Sequence, residues 1–521
     1  MTSERRSPNE IELDGASLTL DQLGAVTAGR ARARLAARAR ARIAAARAVI
    51  ERAVASGEPI YGVNTGFGNL ANVRIAAADL ETLQERLVLS HAAGMGEPLP
   101  DATVRGMLLL RANTLAKGHS GVRVELVEFL LELLNRDLLP VVPSRGSVGA
   151  SGDLAPLAHL ALPVLGRGEI RLAGRARPAA EALRAAGLVP LRLAPREGLA
   201  LVNGTQAMTA HLALSAIVAR RLVGIADLVG ALSTDALRGA DTAFDARIHA
   251  VRPHPGQIAS ARNLWGLLQG SEIRESHRAQ DVRIQDPYSF RCMPQVHGAV
   301  RDVLAEVERR LAVEMNAATD NPLVFVAEAG GGAEEAALSG GNFHGEPMAM
   351  AADFLAIALA ELGAISERRI EKLTNDAFSG LPPFLVRNAG LNSGFMIAQV
   401  TAAALASENK TLAHPASVDS IPTSADKEDH VSMGMWAALK LGDVAANVRR
   451  ILAIELLAAA QGVDLLRPLR SSAPLEELHA LVRTVAAPWD EDREMGPDLA
   501  AVERLLHAAI DPLLGRLERA T

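Results

Sequence analysis

Long helical patterns dominate the sequence after residue 204, and they constrain the fold more strongly than any other feature. Apolar residues recur there at helical spacing, which predicts helices at about 205–238, 295–318, 345–372, 394–413 and 428–461. Hydrophobic types make up 49% of the 521 residues and aromatic types only 3%, which favours helices packed through small side chains. We therefore predict a mostly α protein, in which an elongated helical bundle follows an N-terminal region.

The N-terminal region is predicted to be more varied than the bundle. Its long helices are expected at about 76–94, 98–117 and 122–136. A few short strands are also expected, because apolar and polar residues alternate at 169–172 and 188–193. No linker, low-complexity tract or internal repeat cuts the chain, so we divide it only into residues 1–203 and 204–521.

Arginines recur every four residues at Arg30, Arg34, Arg38 and Arg42, which predicts a cationic stripe on one face of an Ala-rich helix. A nucleic-acid-binding patch is one interpretation of this stripe. The formal net charge of −6 favours a solvated helix face instead, and it argues against nucleic acid as a partner.

Composition also indicates the compartment. Cys292 is the one cysteine, which excludes an internal disulfide and fits a reducing cytoplasm. Residues 1–15 contain several acidic side chains and no apolar core, so they are unlike a signal or transit peptide. Charged residues interrupt the most apolar helical stretches, which predicts buried core helices rather than membrane spans. We expect a soluble cytoplasmic protein with no membrane partner.

The tripeptide Ala150-Ser151-Gly152 lies in a Gly-rich segment and can undergo an unusual backbone reaction. The glycine nitrogen attacks the alanine carbonyl, and two dehydrations then leave a methylidene-imidazolone ring, which is an electrophile. Glycine permits the tight backbone that this closure needs. Asp153 and Pro156 suit the start of a helix directly after the tripeptide, and its N-terminus would point a partial positive charge at the loop.

A second copy of the tripeptide, Ala55-Ser56-Gly57, serves as an internal control. It ends an Ala/Arg helical pattern, with Gly57 placed as a C-cap and Pro59 just beyond. We interpret this copy as a plain helix end, so its serine is expected to stay unmodified.

The segment 146–160 resembles the prosthetic-group loop of the aromatic amino acid ammonia-lyases, which include histidine, phenylalanine and tyrosine ammonia-lyases and related aminomutases. Six further blocks resemble that family, in family order: Tyr61–Gly68, Leu89–Gly94, Leu201–Gln206, Gln285–Arg291, Gly340–His344 and Glu428–Gly434. The resemblance implies a carbon–nitrogen lyase that uses the internal ring and no external cofactor. It also implies a homotetramer in which several subunits build each active site.

The resemblance assigns roles to the two tyrosines of the chain, both of which lie in these blocks. Tyr61 matches the general base that removes the β-proton of the substrate. Tyr288 and Asn203 match residues that hydrogen-bond the ring and polarise its carbonyl. Without the resemblance, a half-buried tyrosine and a buried capping amide would be the ordinary interpretations.

Three further residues are assigned to the substrate. Arg291 matches the arginine that binds the substrate carboxylate, a task suited to the planar guanidinium; a surface salt bridge is the alternative. Phe343 is expected to line the pocket and help hold the ring, and Gln285 to add a polar contact.

Two positions indicate the substrate. Ser90-His91 and Glu428 both match the histidine class, whereas the other classes carry different residues at these positions. A carboxylate and an imidazole can pair with the two ring nitrogens of histidine, and burying them against a plain phenyl ring would be costly. We expect L-histidine to be converted to trans-urocanate; the alternative is an ammonia-lyase or 2,3-aminomutase acting on L-tyrosine or L-phenylalanine. Lys427 departs from the usual amide of the family, and it could lower the pKa of Glu428 or reorient its carboxylate.

Other classes of protein fit less well. Gly66–Ala71 matches G-x-G-x-x-A, but no βαβ alternation surrounds it, which argues against an NAD-dependent oxidoreductase. The thirteen histidines form no metal-binding motif, so no metal is expected. Ser151 lacks the G-x-S-x-G context of a serine hydrolase. A non-enzymatic helical scaffold would need no ring, so absorbance would distinguish it.

Overall fold

A computed structural model of the chain describes residues 9–57, 60–66, 72–281, 283–327 and 335–519. Helices dominate these residues and the strands are short, so the predicted mostly α class is confirmed. The glycine-rich match at Gly66–Ala71 lies largely outside the described residues, because Phe67–Ala71 are not among them.

The chain forms two compact units, each built from separate stretches of sequence. The first unit contains the residues up to Leu214 together with Glu308–Asp353 and Pro415–Leu439. The second unit contains Ser215–Val307, Phe354–His414 and the residues from Lys440 onward. The division at residues 203 and 204 is predicted from the place where the long helical patterns begin, and it stays a prediction.

The α-helices that lie within the first unit have 6 to 20 residues. They span Leu20–Thr27, Ala37–Ser56, Leu80–His91, Asp101–Ala116, Val124–Asn135, Leu154–Ala161, Ala179–Ala185 and Glu197–Val202. Almost every residue from Thr103 to Ala116 is buried, which places Asp101–Ala116 in the core of this unit. The helix Ala37–Ser56 ends where the control tripeptide predicted, with Gly57 as a left-handed cap at φ +72°.

The first sheet corrects the predicted arginine stripe. Ala31–Leu35 is a strand that pairs in parallel with Asn9–Leu13, so Arg34 lies on a strand and not on a helix with Arg38. Alanine and arginine alternate here, and the strand buries every second residue. Arg34 forms ion pairs with Glu10 and Glu12 on the neighbouring strand. The predicted continuous cationic face is therefore wrong.

The other strands of the first unit are also short. Met95–Pro98 pairs with Pro143–Arg145, and Leu323–Phe325 with Ala336–Leu338, both antiparallel; a three-stranded sheet joins Leu139–Pro140, Glu169–Leu172 and Arg175–Pro178. The strand predicted at 169–172 is present, whereas 188–193 is not a strand. Pro190 interrupts that segment, and proline has no N–H to donate to a sheet.

Four long helices have residues in both units: Gln206–Ala236, Met293–Glu314, Glu346–Thr374 and Gly434–Leu465. The other helices of the second unit span Ala246–Ala250, Pro255–Leu268, Glu272–Glu275, Tyr288–Arg291, Asp376–Ser379, Met396–Leu412, Ala473–Arg483, Gly496–Ala508 and Asp511–Arg519. Among the described residues, Glu346–Thr374 is the one helix long and apolar enough to cross a membrane, and 67% of its most apolar window is buried inside the protein.

The last of the four long helices begins later than predicted. The sequence pattern predicts a start at 428, but the helix begins at Gly434. Ser424, Ala425, Asp426 and Met433 have positive φ angles between 52° and 61°, which a right-handed helix cannot accommodate. Of the six residues that precede Gly434, Glu428, Asp429 and His430 lie on the wall of a cavity.

Candidate active site

A cavity of about 530 Å³ lies in the first unit, and the tripeptide Ala150-Ser151-Gly152 borders it. Ala150 and Ser151 contribute to its wall. The sequence-predicted residues on the same wall are Tyr61, His91, Asn203, Phe343 and Glu428. Residues separated by hundreds of positions in the sequence are therefore brought to one place.

The backbone around the tripeptide is tightly packed, as ring closure requires. Gly152 has φ +74° and forms an isolated parallel bridge with Gly204. A Cβ atom at position 152 would lie 2.1 Å from the carbonyl oxygen of Gly204, so only glycine fits. Ala150 is buried beside it. The residues present thus fit the formation of a methylidene-imidazolone ring at this position.

Asp153 anchors the loop that carries the tripeptide, Gly146–Asp153, which we call the reactive loop. The Asp153 N–H donates to the Gly204 carbonyl at 2.7 Å. Its Oδ2 accepts hydrogen bonds from the N–H groups of Ala207 and Met208, both at 2.9 Å, and Oδ1 accepts one from the Ser147 hydroxyl at 2.9 Å. Burial raises the pKa of Asp153 to about 6, although these hydrogen bonds oppose the shift.

The capping role of Asp153 differs from the predicted one. The helix after the tripeptide does begin at Leu154, with Pro156 in its first turn, but Asp153 makes no side-chain cap to it. Ala207 and Met208 instead belong to the first turn of Gln206–Ala236, so Asp153 caps the N-terminus of a different helix.

Glu428 contacts the tripeptide directly. Its Oε1 accepts a hydrogen bond from the Ser151 hydroxyl at 2.7 Å, and its Oε2 accepts from the hydroxyls of Thr423 at 2.6 Å and Ser424 at 2.9 Å. Burial raises the pKa of Glu428, but these three hydrogen bonds outweigh it and hold the pKa below its ordinary value. Glu428 is therefore an ionised acceptor.

His91 lies on the same cavity wall, and its Nδ1 is 3.1 Å from the Ser90 hydroxyl oxygen. Burial lowers the pKa of His91, although the nearby Glu428 carboxylate opposes this shift. At neutral pH the His91 ring is therefore uncharged. It has one N–H donor and one acceptor nitrogen, so it can hydrogen-bond a second imidazole.

Lys427 lines the cavity without pairing with its neighbour Glu428. In the part of the chain that the structure describes, its ammonium group has no hydrogen-bond or ion-pair partner. Lys427 therefore makes no direct contact that would lower the pKa of Glu428 or reorient its carboxylate. The side-chain partners of Glu428 are hydroxyl groups. Lys427 and Glu428 directly follow the run Ser424–Asp426, in which all three residues have positive φ angles, a strained backbone conformation.

Asn203 faces the cavity from the end of the helix Glu197–Val202 and is almost fully buried. Its Nδ2 donates to the Asn321 carbonyl at 3.1 Å and approaches Asp320 Oδ1 at 3.4 Å. Tyr61 and Phe343 lie on the cavity wall with it.

Three predicted residues are not on this cavity. Gln285, Tyr288 and Arg291 belong to the second unit, and the described wall does not include them. Tyr288 is 73% exposed, and the Arg291 guanidinium lies over its ring, 4.8 Å from the centroid. Arg291 also donates from Nε to the Asp286 carbonyl at 2.7 Å. The described wall of this cavity thus contains only part of the predicted site.

Several residues that support the cavity were not predicted from the sequence. Thr423 and Ser424 hold Glu428, and their only sequence signal is their position shortly before it. His344 links two parts of the wall: its Nε2 is 3.2 Å from the His430 carbonyl oxygen, and the two rings stack. Arg111 lies behind Asn203, and its signal is a lone charge in the apolar run Met107–Ala112. Within the described ranges, no group of three or more acidic, histidine or cysteine side chains is arranged to hold a metal ion.

Comparison with known proteins decides the family. A model of the family described as aromatic amino acid lyase matches residues 18–484. The chain belongs to the aromatic amino acid lyase family. The resemblance seen in the motifs is therefore confirmed, and it extends over most of the chain.

Members of this family are similar to the chain in both sequence and structure. The histidine ammonia-lyase of Anaeromyxobacter dehalogenans (strain 2CP-C) is 57% identical over 502 residues, which cover 95% of this chain and 98% of that protein. The crystal structure of histidine ammonia-lyase from Trypanosoma cruzi gives a TM-score of 0.90 at 48% identity, covering 98% of this chain and 96% of that chain. Tyrosine aminomutase from Streptomyces globisporus gives a TM-score of 0.90 at 38% identity and 98% coverage of each chain.

Proposed function

We propose that this aromatic amino acid lyase eliminates ammonia from L-histidine to give trans-urocanate. The observation that carries the proposal is the pair His91 and Glu428, which face one cavity beside Ser151. The relatives from Anaeromyxobacter dehalogenans and Trypanosoma cruzi, both named histidine ammonia-lyase, support the same substrate.

The proposed electrophile is a methylidene-imidazolone ring formed from Ala150, Ser151 and Gly152, with no external cofactor. Its formation releases two water molecules, one from the Ala150 carbonyl and one from the Ser151 hydroxyl. When formed, this ring would supply electrophilic chemistry that makes the substrate amine a better leaving group. Asn203 on the cavity wall and Tyr288 from a neighbouring subunit would hold it through hydrogen bonds, and Phe343 would pack against it.

The substrate side chain is recognised by polar groups that a phenyl ring cannot satisfy. Glu428 accepts a hydrogen bond from one imidazole nitrogen, and the uncharged His91 pairs with the other. Loss of the Ser151 hydroxyl during ring formation releases Glu428 Oε1 for this contact, while Thr423 and Ser424 continue to hold Oε2. An unpaired carboxylate and imidazole against a phenyl ring would be costly.

In the chemical step, Tyr61 acts as a phenolate: it accepts the β-proton of the substrate and becomes a neutral phenol. The Cα–N bond breaks as the Cα–Cβ double bond forms, and the amine leaves as ammonia. Arg291 binds the substrate carboxylate through its planar guanidinium, and Gln285 adds a polar contact. Because these two residues and Tyr288 lie outside the cavity of a single chain, we propose that neighbouring subunits of a homotetramer supply them.

Ammonia release from L-histidine, L-tyrosine and L-phenylalanine, measured side by side, tests the substrate. L-Histidine is expected to give the highest kcat/KM, with a product that has the absorbance of trans-urocanate. A clear preference for either of the other amino acids would contradict the roles of His91 and Glu428, although the lyase chemistry would stand.

The second candidate is an ammonia-lyase or 2,3-aminomutase acting on L-tyrosine or L-phenylalanine. The structural likeness to tyrosine aminomutase from Streptomyces globisporus favours it. A mutase returns the amine to the β-carbon, so mass-resolved chromatography of the products would reveal a β-amino acid. With L-histidine we expect trans-urocanate and ammonia in equal amounts and no β-amino acid.

A further inference from the structure

Three charged side chains that are completely buried lie behind Asn203. Arg111, Arg196 and Asp320 each have 0% side-chain exposure. Arg196 Nη2 is 2.8 Å from Asp320 Oδ1, and Arg111 Nη2 is 3.9 Å from Asp320 Oδ2. We call these residues the buried cluster. They belong to the first unit, as the cavity does.

The buried cluster is bonded to the turn that carries Asn203. Arg111 Nη1 donates to the Asn203 carbonyl and to Gln206 Oε1, both at 2.8 Å. On the other side, Asp320 Oδ1 is the acceptor 3.4 Å from Asn203 Nδ2. Arg111 thus fixes the backbone of Asn203, and Asp320 contacts its side chain.

The same turn also holds the reactive loop. Its Gly204 carbonyl accepts the N–H of Asp153, and Gly204 pairs with Gly152. A Cβ atom at Gly204 would lie 2.5 Å from Arg111 Nη1, so the guanidinium packs directly against this backbone. A displacement of Arg111 would therefore move both Asn203 and the reactive loop.

Stability alone does not account for the buried cluster. Arg111 Nε and Nη2, Arg196 Nε and Nη1, and Asp320 Oδ2 are buried without a hydrogen-bond partner in the described residues. Such groups carry a desolvation cost, and buried ion pairs are often no more stabilising than apolar residues of similar volume. Arg196 also has a positive φ of 84°, a strained conformation of the kind found near functional sites.

We propose that Arg111, which lies beside the Asp320 carboxylate that Arg196 holds at 2.8 Å, is a positioning residue that fixes Asn203 and Gly204 against the reactive loop. This inference rests on the proposed function, in which Asn203 hydrogen-bonds the ring formed from that loop. Arg111 acts through Asn203 and touches neither substrate nor ring. Arg111 fixes the backbone of Asn203 while Asp320 contacts its side chain, and together they set the direction of the amide that would hydrogen-bond the ring.

Arg111→Lys is the first test, because lysine keeps the charge but its shorter side chain cannot place a nitrogen at the position of Nη1, which donates both hydrogen bonds. The variant is expected to lose two water molecules by intact-protein mass, as the wild type does. Its ring absorbance should shift, and kcat should fall by up to about 100-fold with a smaller change in KM, because the positioned amide is displaced.

Arg483→Lys is the matched control. Arg483 is a largely buried arginine of the second unit that bonds Asp464 and the Ala486 carbonyl, and it has no part in the proposed site. This control should show a comparable loss of thermal stability with wild-type ring absorbance and kcat. If Arg111 had only a structural role, the two variants would have the same ring absorbance and the same kcat. This result would overturn the proposal.

A double-mutant cycle with Asn203→Ala tests whether Arg111 acts through Asn203. The loss of kcat in the double variant should be smaller than the product of the two single losses. Multiplicative losses would overturn the inference. If Arg111→Lys fails to fold, Asp320→Asn takes its place in the same assays, with the same expected shift in absorbance.

Borohydride separates this inference from the proposed function, because it reduces the ring without any substrate. Bleaching of the ring absorbance should be slower in Arg111→Lys than in the wild type and in Arg483→Lys. If the wild type carries the ring but prefers another amino acid, the proposed substrate fails while the bleaching rates still test Arg111. If the wild type retains both water molecules, the proposed function and the inference both fail.

Discussion

Glu428 accepts a hydrogen bond at 2.7 Å from Ser151, the serine at the centre of the reactive tripeptide. One carboxylate oxygen of Glu428 is thus occupied by a hydroxyl that ring formation would remove, while Thr423 and Ser424 hold the other oxygen. The contact made by the unmodified chain marks the position where a substrate nitrogen is proposed to bind. Formation of the electrophile and opening of the recognition site are therefore one chemical event in the proposed mechanism.

Ser151→Ala should abolish ring formation, because the alanine side chain has no hydroxyl to eliminate. Intact-protein mass should equal the mass calculated from the sequence, and activity should fall to background. Ser56→Ala is the control, since Ser56 ends a helix and bonds the Ala53 carbonyl. It should lose the same two water molecules as the wild type and remain active.

Tyr61→Phe should still form the methylidene-imidazolone ring but lose about 10²- to 10⁴-fold in kcat. The substitution removes the proton acceptor and keeps the shape of the aromatic side chain. Mass and absorbance would establish that the ring is present, so the loss would belong to the chemical step. Near-normal turnover of this variant would remove Tyr61 from the mechanism.

Glu428→Gln should weaken the recognition of L-histidine. Replacement of a charged acceptor by an amide should cost about 1.5–3 kcal/mol, or roughly 10- to 150-fold in kcat/KM for L-histidine. Combination with His91→Leu should shift the relative preference toward L-phenylalanine, since both polar partners of the imidazole are then gone. An unchanged ratio of kcat/KM for the two substrates would contradict this assignment.

Arg291→Lys should raise KM more than it lowers kcat, because a single ammonium group cannot replace the bidentate contact to the substrate carboxylate. The proposed shared site also predicts complementation between subunits. Inactive Tyr61→Phe and Arg291→Ala chains, unfolded and refolded together, should regain part of the wild-type activity. No recovery in mixed oligomers would mean that both residues act within one chain.

Asp153 predicts a specific dependence of stability on pH. Its pKa is raised from 3.8 to about 6 in the folded protein, so between these values the folded state keeps a proton that the unfolded state has released. Raising the pH through this window therefore favours unfolding, by about 3 kcal/mol for the full shift. Asp153→Asn lacks this titration.

Denaturant unfolding of the wild type and Asp153→Asn, at one protein concentration and at about pH 4 and pH 7, measures this effect. The free energy of unfolding of the wild type relative to the variant should fall as the pH rises. A difference that stays constant across this range would show that Asp153 does not titrate as described.

The sequence predicted the residues of the cavity wall better than it predicted local structure. Tyr61, His91, Ser151 and Glu428 each lie in a short motif, and the structure places all four on one cavity. The grouping came from the family resemblance, because no periodicity in one chain relates positions so far apart. Gln285, Tyr288 and Arg291 belong to the second unit and are not on the described wall of this cavity; we propose that neighbouring subunits supply them.

Local patterns failed where tertiary contacts decide between two structures. The arginines near residue 34 fit both a four-residue helical repeat and a two-residue strand repeat, and pairing with Asn9–Leu13 selects the strand. Asp153 has the composition of a cap for its own helix, but the packing of Ala207 and Met208 determines which helix it caps. The role of Arg111 likewise depends on a carbonyl 92 positions away.

The cap that Asp153 places on the helix Gln206–Ala236 has a consequence for the time at which the chain becomes reactive. The N–H groups that hold its carboxylate lie 54 and 55 positions further along the chain. A growing polypeptide that has just completed the tripeptide does not yet contain them, nor the Gly204 carbonyl against which Gly152 packs. The conformation suited to cyclisation therefore arises only after these later residues have been synthesised and have folded. In the proposed mechanism, a nascent or unfolded chain would therefore keep an ordinary serine, and the electrophile would form only once the surrounding protein can enclose it.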